Sequence, residues 1–314
     1  MKKSLWFKSI LSIMMAVALL FQFSLFASAA ETNKVVLKLD RADADQLPRN
    51  YRTTDDAFRT TKDGQYPSRV GLKDIHASAS SIFSEKEFEQ VMSRAHGQVI
   101  VVDLRQESHG YLNGMAVSWF GANNWGNDGK NLEQVKVIEK GLLDKALAET
   151  PTTIYHFDDD KNVITEPFQV NVESALTEEE MVKSHGASYF RLACSDHFRP
   201  EDADVDRFLE FYKSLPKDAW LHFHCFAGEG RTTIFMNMYD ILKNAKKVSY
   251  DDIALRQGLI GPVDIRNVPA SKMNWKRKAY IERAQFVKHF YDFVKQSPDN
   301  LPMTWSKWAR QHSY

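Results

Sequence analysis

Two hydrophobic spacings alternate along this chain. Short segments with alternating or continuous apolar residues predict strands, and longer segments with apolar residues three or four positions apart predict helices. Strands are predicted over residues 98–103, 188–194 and 219–224. Helices are predicted over residues 131–148, 177–185, 201–214, 231–244, 249–257 and 275–295. Because strands and helices alternate between residues 177 and 244, the pattern predicts an α/β fold.

Other parts of the chain do not follow this alternation. Ser84 and Glu87 form a capping box, which predicts the start of a further helix. Residues 112–130 contain Gly, Asn and Trp without a clear period. Isolated short strands are predicted over residues 35–39, 152–157 and 168–172. These irregular segments predict an addition to the α/β core.

The first 30 residues have the composition of an export signal. Three lysines precede an apolar run that begins near Leu11 and ends near Phe26, and small residues surround Ala29. This arrangement predicts a signal peptide over residues 1–29, cleaved near Ala29, and a mature domain over residues 30–314. Because no later segment is long enough to span a bilayer, we expect a secreted or periplasmic protein without a stable membrane anchor.

The charge balance argues against one class of function. The chain has 41 basic and 41 acidic side chains, and the predicted signal peptide holds three lysines and no acid, so the mature net charge is near −3. A general nucleic-acid binder would be basic over its whole surface. We therefore expect no nucleic-acid partner, and an anionic substrate has to meet a local basic patch.

The most informative segment is residues 224–232, which read His-Cys-Phe-Ala-Gly-Glu-Gly-Arg-Thr between a predicted strand and a predicted helix. At such a turn, backbone N–H groups converge on an anion, and the helix N-terminus adds partial positive charge. The same field stabilises a thiolate, so Cys225 is the candidate nucleophile. Arg231 offers a planar fork of donors that can hold two phosphoryl oxygens. The segment predicts a loop that wraps around one phosphate.

The remaining residues of this segment have supporting roles in the prediction. The phosphate-binding loop consists of Phe226, Ala227, Gly228, Glu229 and Gly230. Its two glycines allow a tight turn and a close approach of the backbone to a ligand. We expect the Thr232 hydroxyl to hydrogen-bond the cysteine sulfur, and His224 to shape the loop by bonding backbone groups. The Glu229 carboxylate works against a polyanion unless it points outward, where solvent screens it.

Transfer of a phosphoryl group from an alcohol also requires a proton donor, because an alkoxide is a poor leaving group at neutral pH. Asp196 follows an apolar strand, and Pro200 ends its loop before the next helix. The carboxyl ends of strands are where α/β sheets bind ligands. Asp196 is therefore predicted to be the general acid and then the base for water. The alternative is that it only caps a turn.

Two further groups of polar residues admit two interpretations each. One group follows the strand 98–103 and consists of Asp103, Arg105, Glu107 and His109. It is either catalytic or, as we favour, a buried salt-bridge network that supports the loop. His222 and His224 alternate on one strand and could bind a metal, but we favour a packed His222 and a loop-shaping His224. We predict no metal and no cofactor.

The chain has two cysteines, Cys194 and Cys225, so it has no disulfide framework. Because Cys194 lies two residues before Asp196, a reversible disulfide with Cys225 is one hypothesis. The favoured interpretation is a small side chain buried beneath the loop.

The loop at 224–232, with Asp196 on a separate loop, resembles the active site of the cysteine-dependent protein tyrosine phosphatase (PTP) superfamily. Further blocks, residues 47–53, 102–112, 118–121 and 219–233, resemble the PTP-like phytases over essentially the whole mature chain. The resemblance implies a core with a central, mostly parallel sheet flanked by helices. It also implies a small partial β-barrel, to which residues 34–60 and 112–175 are expected to contribute.

The same resemblance implies outer contacts to the substrate. The residues expected to hold further phosphates are Arg52, His197, Lys276 and Arg283. The last two are seven positions apart on a predicted helix and therefore project the same way. Asn124 stands where the resemblance leads us to expect an acidic residue.

Together these features predict a secreted phosphatase that removes phosphates stepwise from inositol polyphosphates such as phytate, through a cysteinyl-phosphate intermediate. The alternative is a secreted tyrosine or dual-specificity protein phosphatase, which needs a deep pocket with an aromatic wall rather than several cations. A non-catalytic phosphoinositide-binding module is less favoured, because a binder has no use for the acid Asp196.

Overall fold

The computed structural model describes residues 35–61, 64–158, 163–271 and 273–314. The predicted signal peptide over residues 1–29 lies outside these ranges. Within them, each helix is too short or too polar to cross a bilayer.

The regular elements follow one another along the described residues. The strands are β1 (Val36–Arg41), β2 (Arg52–Thr53), β3 (Ala77–Ser81), β4 (Gln98–Asp103), β5 (His109–Leu112), β6 (Met115–Phe120), β7 (Thr152–Asp158), β8 (Val163–Val170), β9 (Ala175–Leu176), β10 (Ser188–Arg191) and β11 (Ala219–Cys225). The helices are α1 (Glu85–Met92), α2 (Leu132–Ala148), α3 (Glu178–Ser184), α4 (Asp202–Ser214), α5 (Gly230–Asn244), α6 (Tyr250–Ile260), α7 (Asn274–Gln296) and α8 (Trp305–Gln311). The α/β alternation predicted from the sequence is confirmed.

A five-stranded sheet with the order β10-β4-β11-β3-β2 forms the core. Strands β10, β4, β11 and β3 are mutually parallel, and β2 is antiparallel at one edge. The register pairs Cys225 with Ser81 and His224 with Asp103. The carboxyl ends of three strands therefore meet at one edge of the sheet, immediately before the loop at 226–229.

Helices cover both faces of this sheet because the side chains of its strands alternate. Leu221 and Phe223 of β11 belong to one hydrophobic cluster together with residues of α4, α5, α6, α7 and α8. Val99 and Val101 of β4 point to the other face, where they pack with residues of α1 and α3. Helix α5 is buried along most of its length, so it holds the loop that precedes it firmly.

A second, six-stranded sheet has the order β8-β7-β1-β6-β5-β9. Its neighbours pair antiparallel, except that β1 and β7 are parallel. Leu143 and Ala146 of α2 pack against it in a separate hydrophobic cluster. This sheet holds most of the irregular segments, and it places β1 and β6 beside the core sheet.

The strands outside the predicted α/β core differ from the sequence prediction in several places. Within the segment 34–60, Arg52–Thr53 pairs with β3 of the core sheet instead. Strand β8 begins at Val163, earlier than the predicted 168–172. Strands β5 and β6, which are not predicted, form a hairpin around Asn113 and Gly114, both with positive φ. Asn-Gly is a strong hairpin signal that an analysis of hydrophobic period alone overlooks.

Candidate active site

The loop between β11 and α5 surrounds the predicted nucleophile. Cys225 is the last residue of β11, and its side chain is buried, with 3% exposure. The Thr232 hydroxyl donates a hydrogen bond of 3.0 Å to the Cys225 sulfur, as the sequence suggests. Gly228 has φ +72°, and a Cβ at this position would lie 2.4 Å from the carbonyl carbon of Ser80. Only glycine fits there, which brings the loop backbone against strand β3.

Arg231 is buried at the first turn of α5 and is held by a carboxylate. Its two terminal nitrogens donate to Glu107, with distances of 2.7 Å to Oε2 and 2.9 Å to Oε1. Burial alone would lower the pKa of Arg231, but Asp196 and Glu107 raise it well above its usual value. Its Nε has no hydrogen-bond partner among the described residues. The guanidinium of Arg231 therefore has a fixed orientation, and its Nε is available to donate a hydrogen bond to an anion.

Asp196 lies next to the arginine, with Oδ2 at 3.3 Å from a terminal nitrogen of Arg231. The Asn124 side-chain amide donates a hydrogen bond of 2.8 Å to the same oxygen. The Trp125 indole donates to the main-chain carbonyl of Asp196 at 3.2 Å, and the backbone N–H of His197 donates to Oδ1 at 2.9 Å. Hydrogen bonds to both carboxylate oxygens and to the main-chain carbonyl therefore hold Asp196 in place beside Arg231.

Aromatic rings hold the loop that carries Asp196. The Trp125 ring lies 5.6 Å from Phe198 and 5.0 Å from Trp275, between ring centroids. His197, which has φ +73°, lies 5.5 Å from Trp275. These contacts tie the loop to helix α7, which also carries two of the predicted substrate residues.

A cavity of about 550 Å³ opens above Cys225. Its walls come from both sheets and from α7, and they mix aromatic with charged side chains. Its charged or titratable lining residues are Lys38, Asp196, His197, Glu229, Lys276 and Arg283. Its aromatic lining residues are Phe120, Phe157, Phe226, Trp275 and Tyr280. A cavity of this size and polarity fits a compact anion with several charges.

Three of the four predicted outer residues line this cavity. His197 and Lys276 are half-buried on its wall, and burial, followed by the charge of Lys276, lowers the pKa of His197 despite the opposing effect of Asp196. Arg283 is 8% exposed and packs against the loop, since a Cβ on Gly230 would lie 2.4 Å from its guanidinium. Burial lowers the pKa of Arg283. The fold therefore places two basic side chains, Lys276 and Arg283, and one titratable side chain, His197, on the wall of one cavity.

Arg52 has a different environment. It is buried, with 3% exposure, and does not line the cavity. Its terminal nitrogens donate to the Asn50 carbonyl at 2.9 Å and to the Thr233 hydroxyl at 3.4 Å. Burial lowers its pKa to about 10. In this conformation Arg52 bonds to Asn50 and to Thr233, which follows the phosphate-binding loop in α5. A direct contact with substrate requires the Arg52 side chain to move.

Glu229 lies at the solvent-exposed rim of the cavity. The residue is exposed, and its Oε1 lies 3.4 Å from the side-chain amide of Asn50, which also donates to the Ala227 carbonyl at 2.8 Å. Its charge therefore faces solvent at the rim, where screening is strong.

A buried polar network lies beneath the loop, as favoured from the sequence. Asp103 accepts hydrogen bonds from the backbone N–H of Arg105 at 2.8 Å and from the Tyr189 hydroxyl at 2.6 Å. His109 Nε2 lies 3.2 Å from Asp103 and 3.0 Å from Glu178. Burial, followed by Arg105, lowers the pKa of His109, but nearby carboxylates raise it overall to about 9. The network thus places buried positive and negative charges next to β11.

The two histidines of β11 have separate roles. Both ring nitrogens of His222 lie within hydrogen-bond distance of hydroxyls, those of Ser78 and Ser80. Contrary to the sequence prediction, the imidazole of His224 makes no hydrogen bond to a backbone group of the residues that the structure describes. Its Nε2 instead lies 2.6 Å from Glu178 Oε1, without a well-aligned hydrogen bond. The partner comes from α3, which sequence spacing could not reveal.

Asp103, His109 and Glu178 are close enough to hold a cation. The Arg191 guanidinium already occupies one of their oxygens, at 2.9 Å from Asp103 Oδ2. A metal would have to displace that buried charge, so the donor set favours ion pairs.

Both cysteines are free thiols buried in the core. Burial raises the pKa of Cys194 well above its usual value, so this thiol is a poor nucleophile. Its carbonyl accepts a hydrogen bond of 3.2 Å from Arg231. These observations agree with a packing role for Cys194, and the disulfide stays a hypothesis.

Known proteins share this architecture. A family model described as PTP-like phytase, inositol hexakisphosphate, matches residues 102–243. The PTP-like myo-inositol phosphatase from Mitsuokella multacida, solved in complex with myo-inositol-(1,3,4,5)-tetrakisphosphate, is 57% identical with a TM-score of 0.86, covering 89% of this chain and 48% of that chain. The PTP-like phytase from Bdellovibrio bacteriovorus is 35% identical with a TM-score of 0.73, covering 89% of this chain and 96% of that one.

A more distant relative is the effector protein hopD2 of Pseudomonas syringae pv. tomato, 27% identical over 261 residues, which are 80% of this chain and 56% of the relative. The chain thus spans about half the length of this effector and of the Mitsuokella protein. It spans nearly all of the Bdellovibrio protein at 35% identity. On that similarity, and on the shared fold, the chain belongs to the family of protein tyrosine phosphatase-like phytases.

Proposed function

We propose that this protein is a phosphatase that removes phosphates stepwise from inositol polyphosphates through a cysteinyl-phosphate intermediate. The observation that carries the proposal is the position of Arg231 and Asp196, 3.3 Å apart, at the loop that encloses Cys225. A clamp, a proton donor and a nucleophile at one sheet edge are the groups that phosphoryl transfer to sulfur requires.

In the first step the Cys225 thiolate attacks phosphorus in line. The S–P bond forms, the bond between phosphorus and the inositol oxygen breaks, and Asp196 gives its proton to that oxygen. The loop amides and Arg231 hold the three remaining phosphoryl oxygens as their charge develops. The hydrogen bond from the Thr232 hydroxyl steadies the sulfur throughout.

In the second step water attacks the phosphocysteine. Asp196, now a carboxylate, takes a proton from water while the new O–P bond forms and the S–P bond breaks. The sulfur leaves as a thiolate, stabilised by Thr232 at 3.0 Å. Inorganic phosphate is released, and both groups return to their starting state.

The cavity supports the substrate class. Lys276, Arg283 and His197 lie on its walls outside the loop, so a substrate with several phosphates has partners for more than one of them. The tetrakisphosphate bound to the Mitsuokella relative belongs to the same class of ligand. A phosphotyrosine needs one phosphate site only and would leave these three side chains without a phosphate to bind.

Comparing phosphate release from phytate and from a phosphotyrosine peptide tests the proposal. We expect the ratio of kcat/KM values to favour phytate, and Lys276→Met to lower kcat/KM for phytate more than for the peptide. A preference for the peptide would show that the chain is a protein phosphatase. Release from phytate that a chelator abolishes would contradict the metal-independent mechanism.

We also propose that the protein is secreted or periplasmic, with residues 30–314 forming one phosphatase domain. The basic start, the apolar run and the small residues near Ala29 support this proposal. Sequencing the N-terminus of the protein recovered outside the cytoplasm tests it, and a mature form that still begins at Met1 would refute it.

A further inference from the structure

A chain of buried charges runs from strand β1 of the six-stranded sheet to Arg231. Lys38 Nζ lies 2.5 Å from Asp40 Oδ1, and Asp40 Oδ2 lies 3.0 Å from a terminal nitrogen of Arg105. Arg105 Nε lies 2.9 Å from Glu107 Oε1, the same oxygen that accepts from Arg231. Each of these side chains is at most 1% exposed. We call Lys38, Asp40, Arg105 and Glu107 the charge chain.

The charge chain also reaches the other end of the phosphate-binding loop. The Lys38 ammonium lies 3.9 Å from the centre of the Phe226 ring, a cation–π distance. Phe226 follows the predicted nucleophile Cys225 directly. Strand β1 therefore contacts the loop at Phe226 and, through three side chains, at Arg231.

The electrostatics of the charge chain indicate that its members depend on one another. Burial would raise the pKa of Asp40, but Lys38 and Arg105 lower it overall. Burial likewise would raise the pKa of Glu107, but Arg231 and Arg105 lower it. Because Glu107 Oε1 is shared by two guanidinium groups, the position of Arg105 determines where Glu107 holds Arg231. Asp40 in turn holds a terminal nitrogen of Arg105, whose Nε contacts Glu107.

We infer that Asp40 and Lys38 are positioning residues for the phosphate-binding loop. Asp40 orients Arg231 through Arg105 and Glu107, and Lys38 orients the loop at Phe226. The six-stranded sheet thus contributes to phosphate binding from behind the loop, in addition to lining the cavity. The inference rests on the proposed function only for its turnover readout, since binding of inorganic phosphate requires no reaction.

The variant Asp40→Asn tests this inference because it keeps the shape of the side chain and removes its charge. Arg105 then loses its outer partner, and the Arg231 fork shifts with Glu107. We expect the Kd for inorganic phosphate, measured by calorimetric titration, to rise about tenfold. We expect kcat for phytate to fall about 100-fold. KM changes less, because the clamp binds most strongly in the transition state.

The matched control is Glu87→Gln. Glu87 is buried and pairs with Arg41, the residue that follows Asp40 on β1, but this pair does not reach the loop. Both variants are expected to lower Tm, because Asp40→Asn removes one of the two carboxylates that pair with the buried Arg105, and Glu87→Gln removes the carboxylate that pairs with the partly exposed Arg41. Only Asp40→Asn is expected to change the Kd for phosphate and kcat.

If Asp40→Asn does not fold, Arg105→Lys replaces it. Its ammonium keeps the buried charge but cannot reach Asp40 and Glu107 from separate nitrogens, so the Kd for phosphate rises in the same direction. A foldable variant with a lowered Tm, an unchanged Kd for phosphate and an unchanged kcat would overturn the inference. Failure of the unmodified protein to hydrolyse phytate would instead contradict the proposed function, and the phosphate titrations would still decide the inference.

Discussion

The contacts of Asp196 define what one side chain contributes to this site. Its Oδ2 accepts from Asn124 at 2.8 Å and lies 3.3 Å from Arg231. An amide is neutral, so Asn124 orients the carboxyl group without adding a charge to it. The place of Asp196 after a strand is visible in the sequence, but its pairing with Asn124 is not. The two residues are 72 positions apart and meet only through the tertiary fold.

Asn124→Asp is predicted to move the alkaline limb of the pH–rate profile to higher pH. Two carboxyl groups at hydrogen-bond distance cannot both ionise easily, so the pair retains one proton to higher pH. The measurement is kcat for phytate as a function of pH. Asn124→Ala is the control, because it removes the hydrogen bond without adding a charge. Coinciding alkaline limbs in the aspartate variant and the parent would contradict this view of the pair.

The strand–loop–helix unit from β11 to α5 shows which elements the sequence could predict. Alternating residues in β11 and helical spacing in α5 made both elements predictable to within one residue. Strand β3 reads Ala-Ser-Ala-Ser-Ser and is buried at every position, but it has none of the β-branched or aromatic residues that mark a strand in a sequence. Its small residues make room for the loop, since Gly228 packs against the backbone of Ser80. That reason for the composition is visible only in three dimensions.

Gly228→Ala is predicted to lower both activity and stability. A Cβ there meets the backbone of β3 at 2.4 Å, and the φ of +72° adds strain of about 1–2 kcal/mol. The loop has to move, so kcat for phytate falls together with the free energy of unfolding.

The matched control is Gly129→Ala. Gly129 has φ +73°, and no atom of the described residues lies within 4 Å of the added Cβ, so its alanine variant carries the backbone strain alone. We expect this variant to lose about 1–2 kcal/mol in urea unfolding and to keep its kcat. Equal losses of activity in the two variants would show that steric contact with β3 is unimportant.

Across the whole molecule, the two sheets are joined by buried charge as well as by hydrophobic packing. The sequence predicted that Asp103, Arg105, Glu107 and His109 form a network, because these residues follow a strand. It did not predict that Asp40 of the second sheet completes that network, at 3.0 Å from Arg105. Spacing along a chain shows which residues share a local face, whereas pairing between two sheets depends on their packing.

The stability of the whole protein is predicted to fall between about pH 6.5 and pH 9 because of His109. Its pKa is about 9 in the folded protein, raised above the ordinary value of 6.5. A raised pKa stabilises the fold fully below the unfolded value, and this contribution disappears as pH rises through the folded value. The contribution reaches up to about 3 kcal/mol.

Urea unfolding at several pH values measures this effect. His109→Asn should flatten the fall over this window, whereas substitution of the exposed His96 by Asn should leave the fall unchanged. A steep fall that persists in His109→Asn would assign the pH dependence to another group.

In the proposed mechanism Cys225 carries the phosphoryl group between the two steps. Rapid acid quenching of the protein during turnover of phytate, followed by peptide mass spectrometry, tests it most directly. We expect one added phosphoryl group on the peptide that contains Cys225. We expect no such group in Cys225→Ser, which folds but does not turn over phytate. Continued phosphate release by Cys225→Ser, or a phosphoryl group on a different residue, would contradict the account.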